Sequence, residues 1–473
     1  MKTSDRAHRL VVVGHGAAGL AAAVAAAETA RARALDVEIT LLEKAGAEAA
    51  GGNTLWSPSY MRLDAPDRVA PDFGAAMREA TGGRDAAYFH ALARDAVATV
   101  AWLEGHGVAF SQPPYYLATG PLRIQPVGGG RALVAALSAA AKRHGVTIRY
   151  CCAASDIVNA GGGGIAGVAV VSGASNGTET VAADAVVLAC GGFQADREMM
   201  RAHFGPGGET MPLISPGTHF NSGDGIRIGI AQGALTSGDW NGMHAEPVDP
   251  RSKNSAPVVL VYPYGIVVDR DGRRFFDEGA GLVHETWEAF ARKIQFEKPG
   301  GTAFAILDSR LFDISGFERA IRSEVAPFTA DTLHELAALA GIDGAGLAQT
   351  IAAFNAAATG DPASFDPARC DGLAASAALE PPKSNWARAI VKPPFLAYPL
   401  VGAVAYTFGG LATDARARVL GHGGPLPGLF AAGEITGHFW GTAPNAVSVL
   451  RALVFGRTAG REAISYFEGV KAR

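Results

Sequence analysis

The stretch that most constrains this chain runs from Arg9 to Lys44. Leu10-Val11-Val12-Val13 is a short β-branched apolar run of the kind a buried parallel strand requires. Gly14-His15-Gly16-Ala17-Ala18-Gly19 follows without a break, and an alanine-rich segment from about Ala17 to Ala30 carries strong helix preference. Val37 to Leu42 predicts a second strand, ending at Glu43. Strand, G-x-G-x-x-G turn, helix and second strand closing on an acid is the pattern that binds a dinucleotide pyrophosphate. Each glycine has its own reason. Gly14 permits a tight turn, Gly16 lets a pyrophosphate approach the backbone, and Gly19 lets helix and strand pack closely. The helix start offers free N–H groups and a partial positive charge to phosphate. Glu43 is placed to accept from a ribose, and its charge disfavours a 2′-phosphate there.

A chain of 473 residues has room for two or three domains. With 18% charged residues, 48% apolar residues and a net charge of −4, it is compact and globular, with no basic footprint for nucleic acid or an anionic membrane. The four cysteines, Cys151, Cys152, Cys190 and Cys370, form no C-x-x-C pair, so neither a metal site nor a disulfide framework is indicated. No apolar run reaches the length of a membrane span and no signal peptide precedes the first strand, so a cytoplasmic protein is expected.

Further along, Gly51-Gly52-Asn53-Thr54 is a small polar turn suited to a flat ligand or to none. Pro71 to Gly107 reads mostly as helices, Arg131 to His144 as another, and Gly161 to Gly164 as a hairpin tip between strands. Asp184 to Leu188 is a buried-type strand that ends in Cys190-Gly191-Gly192-Phe193, and Gly223-Asp224-Gly225 opens a short helix. From about Ser237 to Pro394 aromatics, charges and prolines become more frequent, and this segment is expected as an insertion. The opening style then returns in Gly428 to Glu434 and in a closing helix from Asn445 to Gly460. The expected fold is α/β: a discontinuous Rossmann-like domain over 1–236 and 395–473, around an α+β capping domain over 237–394.

As an ordered set these pieces, with Gly272-Arg273-Arg274-Phe275, Glu278, Thr407-Phe408-Gly409-Gly410 and Ala432-Gly433-Glu434, resemble the FAD-binding flavoproteins of the fumarate reductase/succinate dehydrogenase family. Within it, Asp277-Glu278-Gly279-Ala280 and Tyr406 to Leu411 look most like tricarballylate dehydrogenase and its flavoprotein relatives. The resemblance implies FAD under a cap, and hydride exchange between flavin N5 and a substrate C–C bond. By the same matching, Gly14, Gly16, Ala17, Ala18, Gly19, Glu43, Lys44, Gly52, Asn53, Thr54, Gly191, Asp224, Glu434, Asn445 and Ala446 fall at FAD contacts. The helix starting near Asn445 would aim its positive end at the flavin pyrimidine. Relatives with covalent flavin have a histidine just before the glycine pair; Glu48-Ala49-Ala50 stands here, which implies non-covalent FAD. The family's proton-donating arginine is missing from Gly281-Leu282-Val283-His284, and its substrate arginine is replaced around Thr442-Ala443-Pro444-Asn445.

Oxidising a C–C bond needs a base for a C–H acidified by a neighbouring carbonyl or carboxylate. Tyr406, His244 and His284 are the candidate catalytic residues. The alternatives are a packed core tyrosine, a structural histidine and an exposed helical histidine respectively. Arg273 and Arg274 are expected in ion pairs with Asp277 or Glu278, and Arg123 is a weaker candidate for the pocket. The expected activity is an FAD-dependent dehydrogenase or reductase on a bond beside a carboxylate or ketone, with a tricarballylate-like acid as the first substrate. The electron acceptor would be a protein or a quinone. A ketosteroid-dehydrogenase-like enzyme, a precorrin-3B-synthase-like flavoenzyme and a non-catalytic flavin-binding sensor or subunit are the alternatives.

Overall fold

The computed structural model describes residues 6–114, 117, 122–161, 164–173, 177–376 and 378–471. The opening strand β1 (His8–Val13) lies inside a six-stranded sheet. It is flanked on one side by the strand Ala185–Leu188 and on the other by β2 (Val37–Leu42), both parallel to it. The strand Thr147–Arg149 extends the sheet beyond β2, and Gly424–Ala431 extends it beyond Ala185–Leu188. Arg418–Gly421 closes that edge antiparallel. β1 is apolar throughout Leu10–Val13 because both faces of the sheet are covered.

The first helix α1 (Ala17–Ala32) packs against the C-terminal helix Ser448–Lys471. Their contact explains the alanines better than helix preference does. A Cβ on Gly456 would sit 2.3 Å from the Ala18 carbonyl oxygen, and one on Gly460 would sit 2.2 Å from that of Ala22. Glycine on one helix and alanine on the other let the two backbones nearly touch. The C-terminal helix starts at Ser448, three residues later than expected and far beyond Gly460 at its other end. Asn445 and Ala446 belong to the turn before it, where Ala446 takes a positive φ of 59°.

The inserted segment builds a second, antiparallel sheet in the order Met243–Val248, Phe395–Thr407, Ala303–Asp308, Ile266–Val268. Its longest member, Phe395–Thr407, starts where sequence composition suggested a return to the first domain. That strand is continuous with the cap sheet over its whole length, because it pairs with Ala303–Asp308 at one end and Met243–Val248 at the other. The helix Val283–Glu297 covers the sheet. Arg274 and Glu278 form a buried ion pair at 2.6 Å, as the sequence suggested for this turn, with Lys383 3.7 Å from the same carboxylate. The stretch Val258 to Val268 is strand only over Ile266–Val268, after a short helical turn at Tyr262–Tyr264. Helices occupy Phe73–Thr81 and Ala86–Gly105 as expected. Strands Cys152–Asn159 and Ile165–Ser172 pair antiparallel, while Gly162 and Gly163 at the expected hairpin tip lie outside the described residues.

The helix contact gives a sharp test. Alanine is the better helix former by about 1 kcal/mol, but forcing a methyl into a closed contact costs about 1–3 kcal/mol. Gly460→Ala is therefore expected to lower the thermal midpoint. Gly469→Ala on the same helix, where a Cβ meets nothing within 4 Å, is expected to leave it level or raise it. Differential scanning calorimetry of the two variants checks the sign.

Candidate functional site

Parallel strands end together, so their turns meet on one edge. β1 delivers Gly14 there, Ala185–Leu188 delivers Cys190 and Gly191, and Gly424–Ala431 delivers Gly433 and Glu434. Across from them lies the cap sheet. Between the two runs an open crevice. It is lined by Gly14, Gly16, Ala17, Ala18, Glu43, Lys44, Gly52, Asn53, Thr54, Gly191, Asp224, Glu434, Asn445 and Ala446, and on the cap side by His244 and Tyr406. Two predicted site residues are elsewhere. Gly19 sits beneath the turn, and His284 lies on the helix Val283–Glu297 outside the lining.

The glycines separate packing from ligand approach. A Cβ on Gly14 would meet the Ala189 carbonyl oxygen at 2.4 Å, and one on Gly19 would meet that of Gly14 at 1.9 Å. The protein itself requires both. On Gly16, by contrast, a Cβ would meet nothing closer than Thr54 Oγ1 at 3.7 Å. The backbone at Gly16 is extended rather than left-handed, with φ −78°. No protein contact and no strain demands glycine there, so what the missing methyl leaves open is the ligand side of the turn, a cradle suited to a pyrophosphate.

Polar residues around the groove are held by the protein as well as facing it. Glu43 accepts from the backbone N–H groups of His15 at 2.9 Å and Ala45 at 2.7 Å. Burial nevertheless raises its carboxyl above the usual range. Lys44 pairs with Asp224 at 2.9 Å and donates to Ser222 at 2.6 Å. Thr54 accepts from the Ala17 N–H at 3.1 Å. Asn53 donates to the Ala405 carbonyl at 2.8 Å and accepts from Ser215 and Thr218, so it ties the turn to the cap strand. Glu434 accepts from the Thr407 N–H at 3.1 Å, and burial pushes its carboxyl up to about 7. Arg62 holds the turn before the C-terminal helix through the Asn445 carbonyl at 3.2 Å. Ser448 then places that helix's N-terminus in the crevice wall.

On the cap side, His244 and Tyr406 are cross-strand partners, and their rings stack with centroids 4.9 Å apart. The next pair is Ala245 with Val404, so Ala405 is an extra residue, a β-bulge. Its freed carbonyl accepts from both Asn53 and Gln194. The bulge therefore fixes the cap strand to the groove and sets Tyr406 toward it. His244 Nδ1 lies 2.7 Å from Glu288, and Nε2 lies 3.2 Å from Glu246. Burial alone would lower its affinity for protons, but the two carboxylates outweigh burial and raise His244 to about 9. Burial, with Glu288 nearby, raises the Tyr406 phenol far above its ordinary range. At neutral pH the site thus holds an imidazolium between two carboxylates and a fully protonated phenol.

His284 is not the exposed helical histidine the sequence allowed. It is buried beside Arg62, Arg123 and Asp72, where burial and the two guanidiniums push it down to about 4. It lies outside the crevice lining. Sequence reading missed Glu246 and Glu288. Glu246 was legible, since residues two apart on a strand share a face with His244. Trp56, Tyr60, Trp287 and Arg322 also line the crevice and come from separate elements with no shared local pattern.

A split parallel-sheet domain with a phosphate cradle, and a cap that presents a protonated tyrosine across it, define an FAD-dependent oxidoreductase of the two-domain kind. Residues 9–448 match the FAD binding domain family, and the chain belongs to it. It is 28% identical over 470 residues to a fumarate reductase (cytochrome) of Shewanella frigidimarina, covering 97% of this chain and 77% of that protein. It is 31% identical over 402 residues to a 4-oxocyclohexanecarboxylate 2-dehydrogenase of Sinomonas cyclohexanicum, covering 77% of this chain and 66% of that one. The fold is similar to the open conformation of a flavocytochrome c3 fumarate reductase, with a TM-score of 0.76 and 24% identity over 98% of this chain and 79% of that structure. The chain is accordingly an FAD-dependent oxidoreductase of the fumarate reductase kind, a class that acts on CH–CH and C=C bonds. Among the described residues no helix is long and apolar enough to cross a membrane.

Two outcomes follow. Gly16→Ala is expected to leave the melting of the flavin-free protein unchanged while weakening FAD at least about tenfold, whereas Gly14→Ala lowers both; flavin-fluorescence titration and calorimetry separate the two. His244 carries its proton in the folded state up to about 9, above the value of about 6.5 in the unfolded chain. Its contribution to stability is complete below about 6.5 and is lost as pH rises through about 9. Denaturant unfolding across that window should show a decline that shrinks in Glu288→Gln.

Proposed function

We propose that this enzyme interconverts a C–C single and double bond beside a carbonyl group in a substrate with an apolar body, using FAD held without a covalent link. The observation that carries this reading is the stacked Tyr406–His244 pair facing the dinucleotide groove. Bound FAD supplies the hydride acceptor or donor. The buried phenol of Tyr406 keeps its proton and donates a hydrogen bond to the substrate carbonyl oxygen, which stabilises charge developing there. Glu246 lines the crevice beside the imidazolium and takes or returns the proton at the carbon next to that carbonyl. His244 orients Glu246 and Glu288 and balances part of their charge.

Ile214, Phe220, Trp56 and Trp287 supply apolar walls. Together with the excess of carboxylates around His244, they favour such a body over the tricarballylate-like polyanion of the sequence reading. The acceptor is read as a protein or a quinone. The four free cysteines support a reducing compartment such as the cytoplasm.

Anaerobic mixing with 4-oxocyclohexanecarboxylate, the compound named for one relative, is expected to bleach the flavin. Tyr406→Phe should slow bleaching by about 10²-fold or more and leave the FAD bound. Acid precipitation should release all the yellow colour. Loss of FAD from Tyr406→Phe would make the tyrosine structural, and no bleaching by any reductive substrate would favour a non-catalytic flavin-binding protein.

A further inference from the structure

The crevice does not end at the flavin groove. It opens into a second cleft, and the two share Trp56, Ser57, Pro58 and Arg322 in their walls. Arg322 stands at the junction. Its backbone is fixed on both sides: its N–H donates to the Val258 carbonyl at 2.9 Å, and its carbonyl accepts from Asn254 Nδ2 at 3.1 Å. Among the described residues its guanidinium has no carboxylate within ion-pair distance. By contrast, Arg251 pairs with Asp249, Arg274 with Glu278 and Arg310 with Asp308. A half-buried guanidinium that faces a cleft and lacks an acid is suited to an anion from outside.

The charges at the two ends of the cleft differ. At the inner end His244 stands between Glu246 and Glu288, with Arg451 in the wall behind Tyr406, so the charges there are already paired within the protein. At the outer end stands Arg322, with the Arg131 guanidinium lying over the Trp56 ring at 5.6 Å. The walls between carry Tyr60, Trp56, Ile214 and Trp287. A second carboxylate at the inner end would meet no unpaired cation there. A ring or aromatic body with its carbonyl inward and one carboxylate outward satisfies both.

We propose that Arg322 is the specificity-determining residue that takes the substrate's carboxylate at the outer end of the cleft, so that the enzyme selects apolar-bodied monocarboxylates. This rests on the reading of the site as a carbonyl-activating one.

The test separates the two claims. Calorimetric titration of the FAD-loaded protein uses cyclohexanecarboxylate and its methyl ester as probes, neither of which requires turnover. The acid is expected to bind at least about tenfold more tightly than the ester. Arg322→Leu should remove that preference by weakening the acid and leaving the ester unchanged, and Arg322→Lys should restore part of it. FAD content and thermal midpoint confirm that the variants fold, with Arg322→Gln as the second variant if the leucine does not. Equal binding of acid and ester, no binding of the acid, or full acid affinity in Arg322→Leu and Arg322→Gln would overturn the proposal. Arg322-dependent binding without flavin bleaching by 4-oxocyclohexanecarboxylate would instead sink the reaction assigned above and leave the anion site standing.

Discussion

The structure depends on backbone lying directly on backbone. Where β1 turns into α1, the Gly19 Cα faces the Gly14 carbonyl so closely that a side-chain carbon would overlap it. A second such contact, at Gly456 and Gly460, presses the C-terminal helix onto the same α1. One alanine-rich helix is thus clamped from two sides by atoms that cannot yield. Its N-terminus is held under the first turn, and the N-terminus of the C-terminal helix is held beside the crevice. Two segments more than four hundred residues apart in sequence become one rigid wall.

The cap meets the groove through an irregularity in its sheet. One extra residue, Ala405, turns a carbonyl out of the ladder toward Asn53 and Gln194. The same bulge sets Tyr406 against His244 over the groove. A regular ladder would have used that carbonyl and moved the tyrosine to the opposite face. The electrostatics follow from burial: a phenol that cannot ionise stands beside a histidine that cannot lose its proton near neutral pH.

The dinucleotide half of the fold was legible because its rules are local. β1, the glycine turn, α1 and β2 fall within a residue or two of expectation, since strand period, helix preference and turn chemistry all act over short spans. Gly19 was legible as a packing glycine, and the structure presses it against the Gly14 carbonyl outside the crevice lining. His284 looked like the stand-in for a missing arginine on spacing along the chain, and spacing says nothing about which side of a helix meets the crevice. Phe395–Thr407 carries the same apolar texture whichever sheet it joins, so composition placed the cap's end before it rather than after it. Arg322 had no signal, because its position is fixed by a tertiary bridge beside Val259 and Ile321.

That thirteen-residue strand also has a mechanical meaning. It lies in the cap sheet from its first residue, and at its last it accepts no slack: the Thr407 N–H is bonded to Glu434 on the opposite wall of the groove. A β-strand within a sheet resists bending, so this connection acts as a strut and not as a hinge.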